Sequence, residues 1–461
     1  MKQHLNRCPK RRLVGDITQM FIKSDLKGEI SSGPYDEKKR REKLGKMIIM
    51  HDYPLSMVEH SGFKDFTSTI QPLFKCHSRN TLKNDIMRIY SEERDKVMSL
   101  IENIDSRVAI TTDMWTSSNQ KRGFMAVIRH FIDKSWTLHS KILRFIYVPC
   151  PHTSDVLTDV LIDVMLGWNV DSRLSTIIVD NCSTNDSMIG KIKAKLNVGC
   201  LLNGGSLLHM RCFAHILNLI VKIGLDVIKH AIDNVRESVV FWTASPKRIE
   251  KFEDVCRQMK VPYAKRLGLD CPTRWNPTYL MLKTALVYKS VFPRLKLFES
   301  QYKNVPSDKD WETAKNVCDR LELFYNVTEL FSGTKYPTAN MYFPIICKVK
   351  LTLNEWVKSP NEVISTMAKS MSDKFNAYWN VIHKLMGVAA VLDPRYKMTF
   401  LDFNSPKVYP YDYDEQISNI KYLCYDLMEE YYIKKNKVND VNNQECTLDG
   451  SVFSYTVVVI C

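Results

Sequence analysis

The sequence predicts two fold classes in one chain: an α/β domain on a mixed five-stranded sheet, followed by a long all-α region. Three observations predict this. Between about residues 105 and 212, short β-branched runs alternate with segments of helical spacing. From about 213 to 435, apolar residues recur almost entirely at three- and four-residue steps. The chain has 461 residues, room for two or three domains, and its 45% apolar and 25% charged fractions are ordinary for folded proteins.

The elements follow in order. Residues 1 to about 45 are polar, with Gly28, Gly33 and Pro34, and read as a linker behind a short ordered remnant. Residues 47–104 read as helical, with Leu55, Val58, Phe63, Phe66 and Ile70, then Leu82, Ile86 and Ile89, on one stripe. Arg107–Asp113, Phe124–Ile132 and Trp136–Val148 read as three consecutive antiparallel strands, the last two joined by the turn-like Asp133-Lys134-Ser135. Residues 153–167 are helical, Leu174–Asp180 is a strand, and Asn185–Leu196 is a helix capped by Thr184 or Asn185. Leu207–Cys212 is the fifth strand. Three meandering strands, a helix, a strand, a helix and a strand is the order of a ribonuclease-H-like sheet. The last eleven residues, Ser451–Cys461, form an apolar β-prone tail, and no internal repeat is visible.

Charge narrows the partner. Lys and Arg number 65 against 51 Asp and Glu, a surplus of 14, which points to a polyanion such as nucleic acid or to a soluble protein with extra surface lysine. The first twelve residues hold no apolar signal-peptide core, and no stretch reaches the roughly 18 apolar residues that span a bilayer. The 13 cysteines are scattered, unlike a disulfide scaffold, and read as buried thiols of a reducing compartment. Lys38-Lys39-Arg40-Arg41 is a candidate nuclear-import cluster, although such runs are usually just solvated.

Asp113 ends the first strand and Asp180 the fourth. Those strands are neighbours in such a sheet, so their C-terminal ends bring two carboxylates to one edge. Two carboxylates there can hold Mg²⁺ ions that activate water and stabilise the leaving oxygen in phosphodiester cleavage. The competing reading makes each Asp an ordinary strand-end turn residue.

Spaced blocks then carry a resemblance. Thr111-Thr-Asp-Met-Trp-Thr-Ser117, Val179-Asp-Asn-Cys-Ser-Thr-Asn-Asp186, Leu208-His-Met-Arg-Cys-Phe-Ala-His-Ile-Leu-Asn-Leu219 and Leu269-Asp-Cys-Pro-Thr-Arg-Trp-Asn-Pro-Thr-Tyr279 resemble the ordered motifs of plant hAT transposases. Ser332–Thr338, Asp373–Trp379 and Val391–Lys397 also match, so the resemblance runs from about 47 to 435. It implies a ribonuclease-H-like core interrupted after its fifth strand by an all-helical insertion, with Asp113 and Asp180 as the first two metal-binding carboxylates. It implies DNA contacts from Arg274, Trp275, His215 and Arg211, with Trp275 stacked on a flipped-out base and Arg274 on phosphate. The competing reading of Trp275 is a buried core aromatic. Cys212 and His215 lack the two further ligands that a zinc site needs.

The resemblance also sets the expected domains: 1–12 a remnant of a BED-type zinc finger, 13–46 a basic linker, 47–104 a helical DNA-binding or intertwining region, 105–212 the core, 213–435 the insertion and 436–461 a divergent tail. His4 and Cys8 resemble the closing pair of the finger. With no Cys-x-x-Cys before them, zinc is not expected here. The family's third carboxylate, a Glu in the C-terminal dimerisation region, has no matching block, and Glu429, Glu430 and Glu445 lack its context. The chain thus reads as truncated at both ends, its sheet as short of one or two covering helices, and its Mg²⁺ site as ancestral and weak. The expected function is a transposase-derived nuclear DNA-binding protein that has lost cleavage, with DNA as partner, no membrane, and a homo-oligomer only in the ancestor. The alternatives are an active Mg²⁺-dependent DNA transposase and a protein-interaction or pseudogene product that binds no DNA.

Overall fold

The computed structural model describes residues 20–24, 30–34 and 36–442, apart from 72, 73, 103, 105, 120, 272, 333–337 and 410. His4, Cys8, Glu445, the tail after 442 and the centre of the Ser332–Thr338 block lie outside the described residues. The chain divides into two units, residues 1–104 and 105–461.

The first unit corrects the expected linker at 13–46. Strands β1 (Met20–Ser24) and β2 (Ile30–Pro34) pair antiparallel, and helix α1 covers Glu37–Met50. Helical periodicity is faint there because the helix is dominated by charge. The Asp36 side chain caps it, accepting from the Lys39 N–H at 3.0 Å. Helices α2 (Ser61–Ile70) and α3 (Arg79–Glu102) follow. Ile48, Val58 and Leu82 form the core of this unit. Arg41 grips the buried Asp85 through Nε at 2.8 Å and Nη2 at 2.6 Å, fixing α1 against α3. The import-like cluster is therefore partly engaged within the fold.

In the second unit the five strands are β3 (Val108–Thr116), β4 (Gly123–Ile132), β5 (Leu138–Val148), β6 (Leu174–Val179) and β7 (His209–Arg211). Their order is β5-β4-β3-β6-β7, antiparallel among the first three and parallel from β3 to β6 to β7. Helices α4 (Ser154–Gly167) and α5 (Ser183–Lys195) pack on each other, tied by Lys191–Asp155 and Lys195–Asp159. The cap of α5 is Cys182, two or three residues before the expected cap. β4 alternates strictly, with Met125, Val127, Arg129 and Phe131 on the buried face. Its other face, shared with β3 and β5, leaves Trp115, Ile142, Phe145 and Tyr147 exposed.

Among the described residues, ten helices then run from 213 to 442, seven residues past the expected end at 435. They are α6 (Phe213–Val227), α7 (Lys229–Thr243), α8 (Pro246–Gln258), α9 (Trp275–Val287), α10 (Val291–Phe298), α11 (Asp308–Phe331), α12 (Ala339–Val357), α13 (Glu362–Leu392), α14 (Lys397–Val408) and α15 (Tyr413–Asn442). One continuous apolar core joins them to Ile178 and Met210 of the sheet. α6 lies so close to α13 that a Cβ on Gly224 would meet Met371 Sδ at 2.6 Å, so any larger residue there must displace that methionine. The last helix returns to the sheet. Glu430 on α15 accepts from the buried Arg107 at 2.5 Å and from the Asn203 backbone N–H at 2.7 Å. Arg107 also donates to the Leu174 and Cys200 carbonyls.

Candidate functional site

The parallel register builds the site. Thr111 faces Ile178 across β3 and β6, so two residues further on Asp113 stands abreast of Asp180. Val179 faces Arg211 across β6 and β7, and the Cys212 N–H donates to the Val179 carbonyl at 2.8 Å. Three parallel strand ends thus deliver Asp113, Asp180 and Cys212 to one edge. α6 starts there, with Cys212 as its cap and His215 in its first turn.

The closeness sets the electrostatics of the pair. Burial raises the Asp113 pKa above the usual carboxylate value, and the Asp180 charge raises it further. The Met114 N–H, the Arg274 charge and His215 act the other way. Asp113, Asp180, His215 and Arg274, predicted from four separate blocks, therefore share one neighbourhood. Burial, above all, pushes the Cys212 thiol up, with the two carboxylates adding to it, so Cys212 is a half-buried neutral thiol.

Three partners were not singled out from the sequence. Asn185, at the start of α5, donates its amide to the Asp180 carboxylate and orients it. Asn218 on α6 accepts from the Trp275 backbone N–H at 3.0 Å. Asp270, nearly buried, is held by Arg236 at 2.7 Å and Thr278 at 2.8 Å, fixing the segment that carries Arg274. Asn185 lies in a block already quoted for Asp180, and its five-residue spacing was the available signal.

One expected DNA contact needs correction. Trp275 is 2% exposed, packed beside Tyr279 in the helical core, so its ring offers no face to a base. The large apolar area of its indole is better satisfied in that core than at the surface. Arg211, also expected to contact DNA, is paired with Asp186 at 3.1 Å. Arg274, by contrast, is exposed at the start of α9.

For a divalent ion the donor set is a half-site. Two mutually repelling carboxylates suit Mg²⁺, but among the described residues no group of three or more His, Cys, Asp or Glu is placed to hold a metal. Glu430 sits by Arg107, before the first residue of β3, whereas Asp113 lies near that strand's far end.

Comparison with known proteins agrees with this architecture. The family model for the ZBED1 RNase-like domain matches residues 111–207, that for the ZBED1 RNase-like helical domain 210–320, and that for the hAT-like transposase RNase-H fold 340–431. The chain is 33% identical over 403 residues to the zinc finger BED domain-containing protein RICESLEEPER 2 of Oryza sativa subsp. japonica, spanning 87% of this chain and 56% of that one. It is 35% identical to a putative AC transposase of Zea mays, over 86% of this chain and 50% of the relative. The chain belongs to the hAT transposase family. A third relative, the zinc finger BED domain-containing protein DAYSLEEPER of Arabidopsis thaliana, is 30% identical over 86% of this chain and 57% of its own length. The chain spans about half the length of the curated relatives it matches. Among the described residues, no helix is long and apolar enough to cross a membrane.

Proposed function

We propose that this chain is a transposase-derived nuclear protein that binds DNA without cutting it. One observation carries the reading: Asp113 and Asp180 stand abreast beside Arg274 and His215, while no third acid joins them among the described residues. When bound, Mg²⁺ supplies water activation and charge neutralisation for phosphodiester cleavage, and Asp113 and Asp180 are the side chains that would hold it. Asn185 orients the Asp180 carboxylate, and Arg274 is free to pair with a phosphate. Two carboxylates alone hold the ion loosely. A misplacement of about 1 Å costs phosphoryl chemistry roughly 100-fold. The surplus of 14 positive charges supports a nucleic-acid partner, and that partner supports the nuclear setting. The BED zinc-finger names of the relatives point the same way.

The test uses the full chain and a labelled duplex. Binding should be measurable near 50 mM salt and fall steeply by 200 mM, by roughly 10³-fold or more if at least six phosphates are contacted. With Mg²⁺ present, strand cleavage should match a no-protein control. Cleavage that disappears in Asp180→Ala would restore the reading of a working transposase. Absence of duplex binding at low salt would instead favour a protein-interaction role. Diffuse distribution of a fluorescent fusion between cytoplasm and nucleus would refute the nuclear assignment.

A further inference from the structure

The open face of the sheet carries an aromatic tier that the site described above does not use. Trp115, Phe145 and Tyr147 are 40%, 61% and 51% exposed. Phe124 lies among them, stacked on Phe145 at 5.4 Å and 23°, 6.1 Å from Tyr147 and 6.4 Å from Trp115. Trp115 and Phe145 are 5.4 Å apart. The register explains the cluster: Trp115 pairs with Phe124, which pairs with Tyr147, and Asp113 pairs with Ala126, which pairs with Phe145. Asp113 and Trp115 are two residues apart on one strand and so share this face. Phe145 is two strand spacings from Asp113, roughly 10 Å.

The chemistry of the face selects its occupant. On the part of the face built by β3, β4 and β5, Asp113 is the one acid among the described residues, with Asp180 abreast of it on β6; the other positions are aromatic, aliphatic, hydroxyl or His130. The Arg122 guanidinium lies over Tyr147 at 5.7 Å, and the exposed Lys121 adjoins it in a left-handed turn, φ 52°. An exposed aromatic surface with two cations at one end, lying next to the Asp113 carboxylate, matches unstacked bases on a phosphate backbone. We propose that Trp115, Phe145 and Tyr147 form a stacking platform for unpaired nucleobases of DNA held at the Asp113/Asp180 edge. The platform supplies the exposed aromatic face that the buried Trp275 lacks. This inference rests on the DNA-binding reading.

The experiment compares a fluorescein-labelled twelve-nucleotide dT strand with a duplex of equal length, by anisotropy on the full chain. Each of Trp115→Ala, Phe145→Ala and Tyr147→Ala should weaken single-strand binding roughly 5- to 100-fold while duplex affinity stays within about twofold. Phe145→Trp should keep single-strand affinity. These side chains are 40% to 61% exposed, and circular dichroism with the melting temperature checks that each variant folds. Variants that bind the dT strand like wild type overturn the platform. The same holds if they merely convert a dimer to a monomer in sedimentation with DNA affinity intact, since the face then receives a second copy. Wild type that binds the duplex but no single strand overturns this inference alone. Wild type that binds neither removes the DNA reading as well.

Discussion

Arg129 offers the sharpest test of how the sheet core is held. Its side chain is 0% exposed on the buried face of β4, and Nε, Nη1 and Nη2 all lack hydrogen-bond partners among the described residues. Burial, with a smaller contribution from the Arg173 charge, lowers its pKa from 12.5 to about 10. At about 1.36 kcal/mol per tenfold change in proton affinity, 12.5 − 10 corresponds to ~3 kcal/mol against the charged form. The Phe131 ring, 4.2 Å from the guanidinium carbon, returns up to about 2 kcal/mol. Arg129→Met keeps most of the length, removes the charge and fits irregular gaps. The expected result is a gain of roughly 1–2 kcal/mol, read as a higher urea midpoint at unchanged slope. Arg129→Lys, which keeps a buried charge, should bring no gain. A loss of about 1 kcal/mol or more in Arg129→Met would refute the reasoning, because it would mean that the guanidinium is satisfied in the fold.

Three other outcomes follow from the same geometry. Glu430→Ala leaves Arg107 buried without its carboxylate and should cost about 3–5 kcal/mol of stability; an unchanged urea midpoint would show that α15 is fastened some other way. Trp275→Ala should cost about 3–5 kcal/mol as a core cavity, and a variant of wild-type stability with weakened DNA binding would reverse the correction made above. Asp180→Asn should bring the Asp113 pKa down toward its ordinary value, followed by carboxyl-carbon NMR; no movement would separate the two side chains. Because the folded Asp113 value lies above the ordinary one, this group favours the fold most at low pH. That advantage is lost as pH rises through the folded value, and the Asn variant should show less of the loss.

Much of the sheet could be read from the sequence because its strands obey one period each. Phe124–Ile132 was expected and Gly123–Ile132 is observed; Leu174–Asp180 was expected and Leu174–Val179 is observed. β-branched runs between turn residues leave few other options. The pairing of Asp113 with Asp180 was legible once the strand order was known, since parallel neighbours share an edge. Trp275 was not legible. An aromatic residue at a helix start reads the same whether it faces solvent or core. Its backbone partner Asn218 lies 57 residues away. Helix α1 was missed because Lys38 to Arg41 look solvated in sequence, whereas Asp36 and the distant Asp85 settle the matter. Glu430 shows the same limit. Its type suited an acid beside the two aspartates, but only the fold reveals that Arg107 has claimed it at the other end of β3.

The Arg107–Glu430 latch spans 323 positions of sequence. On a ribosome adding about 5–20 residues each second, the arginine emerges roughly 16 to 65 seconds before its glutamate exists. During that interval the nascent sheet is unlatched, its guanidinium has only backbone carbonyls to lean on, and the growing helices trail from an unfastened edge. Chaperone demand during synthesis should therefore concentrate on this window and end once α15 leaves the exit tunnel.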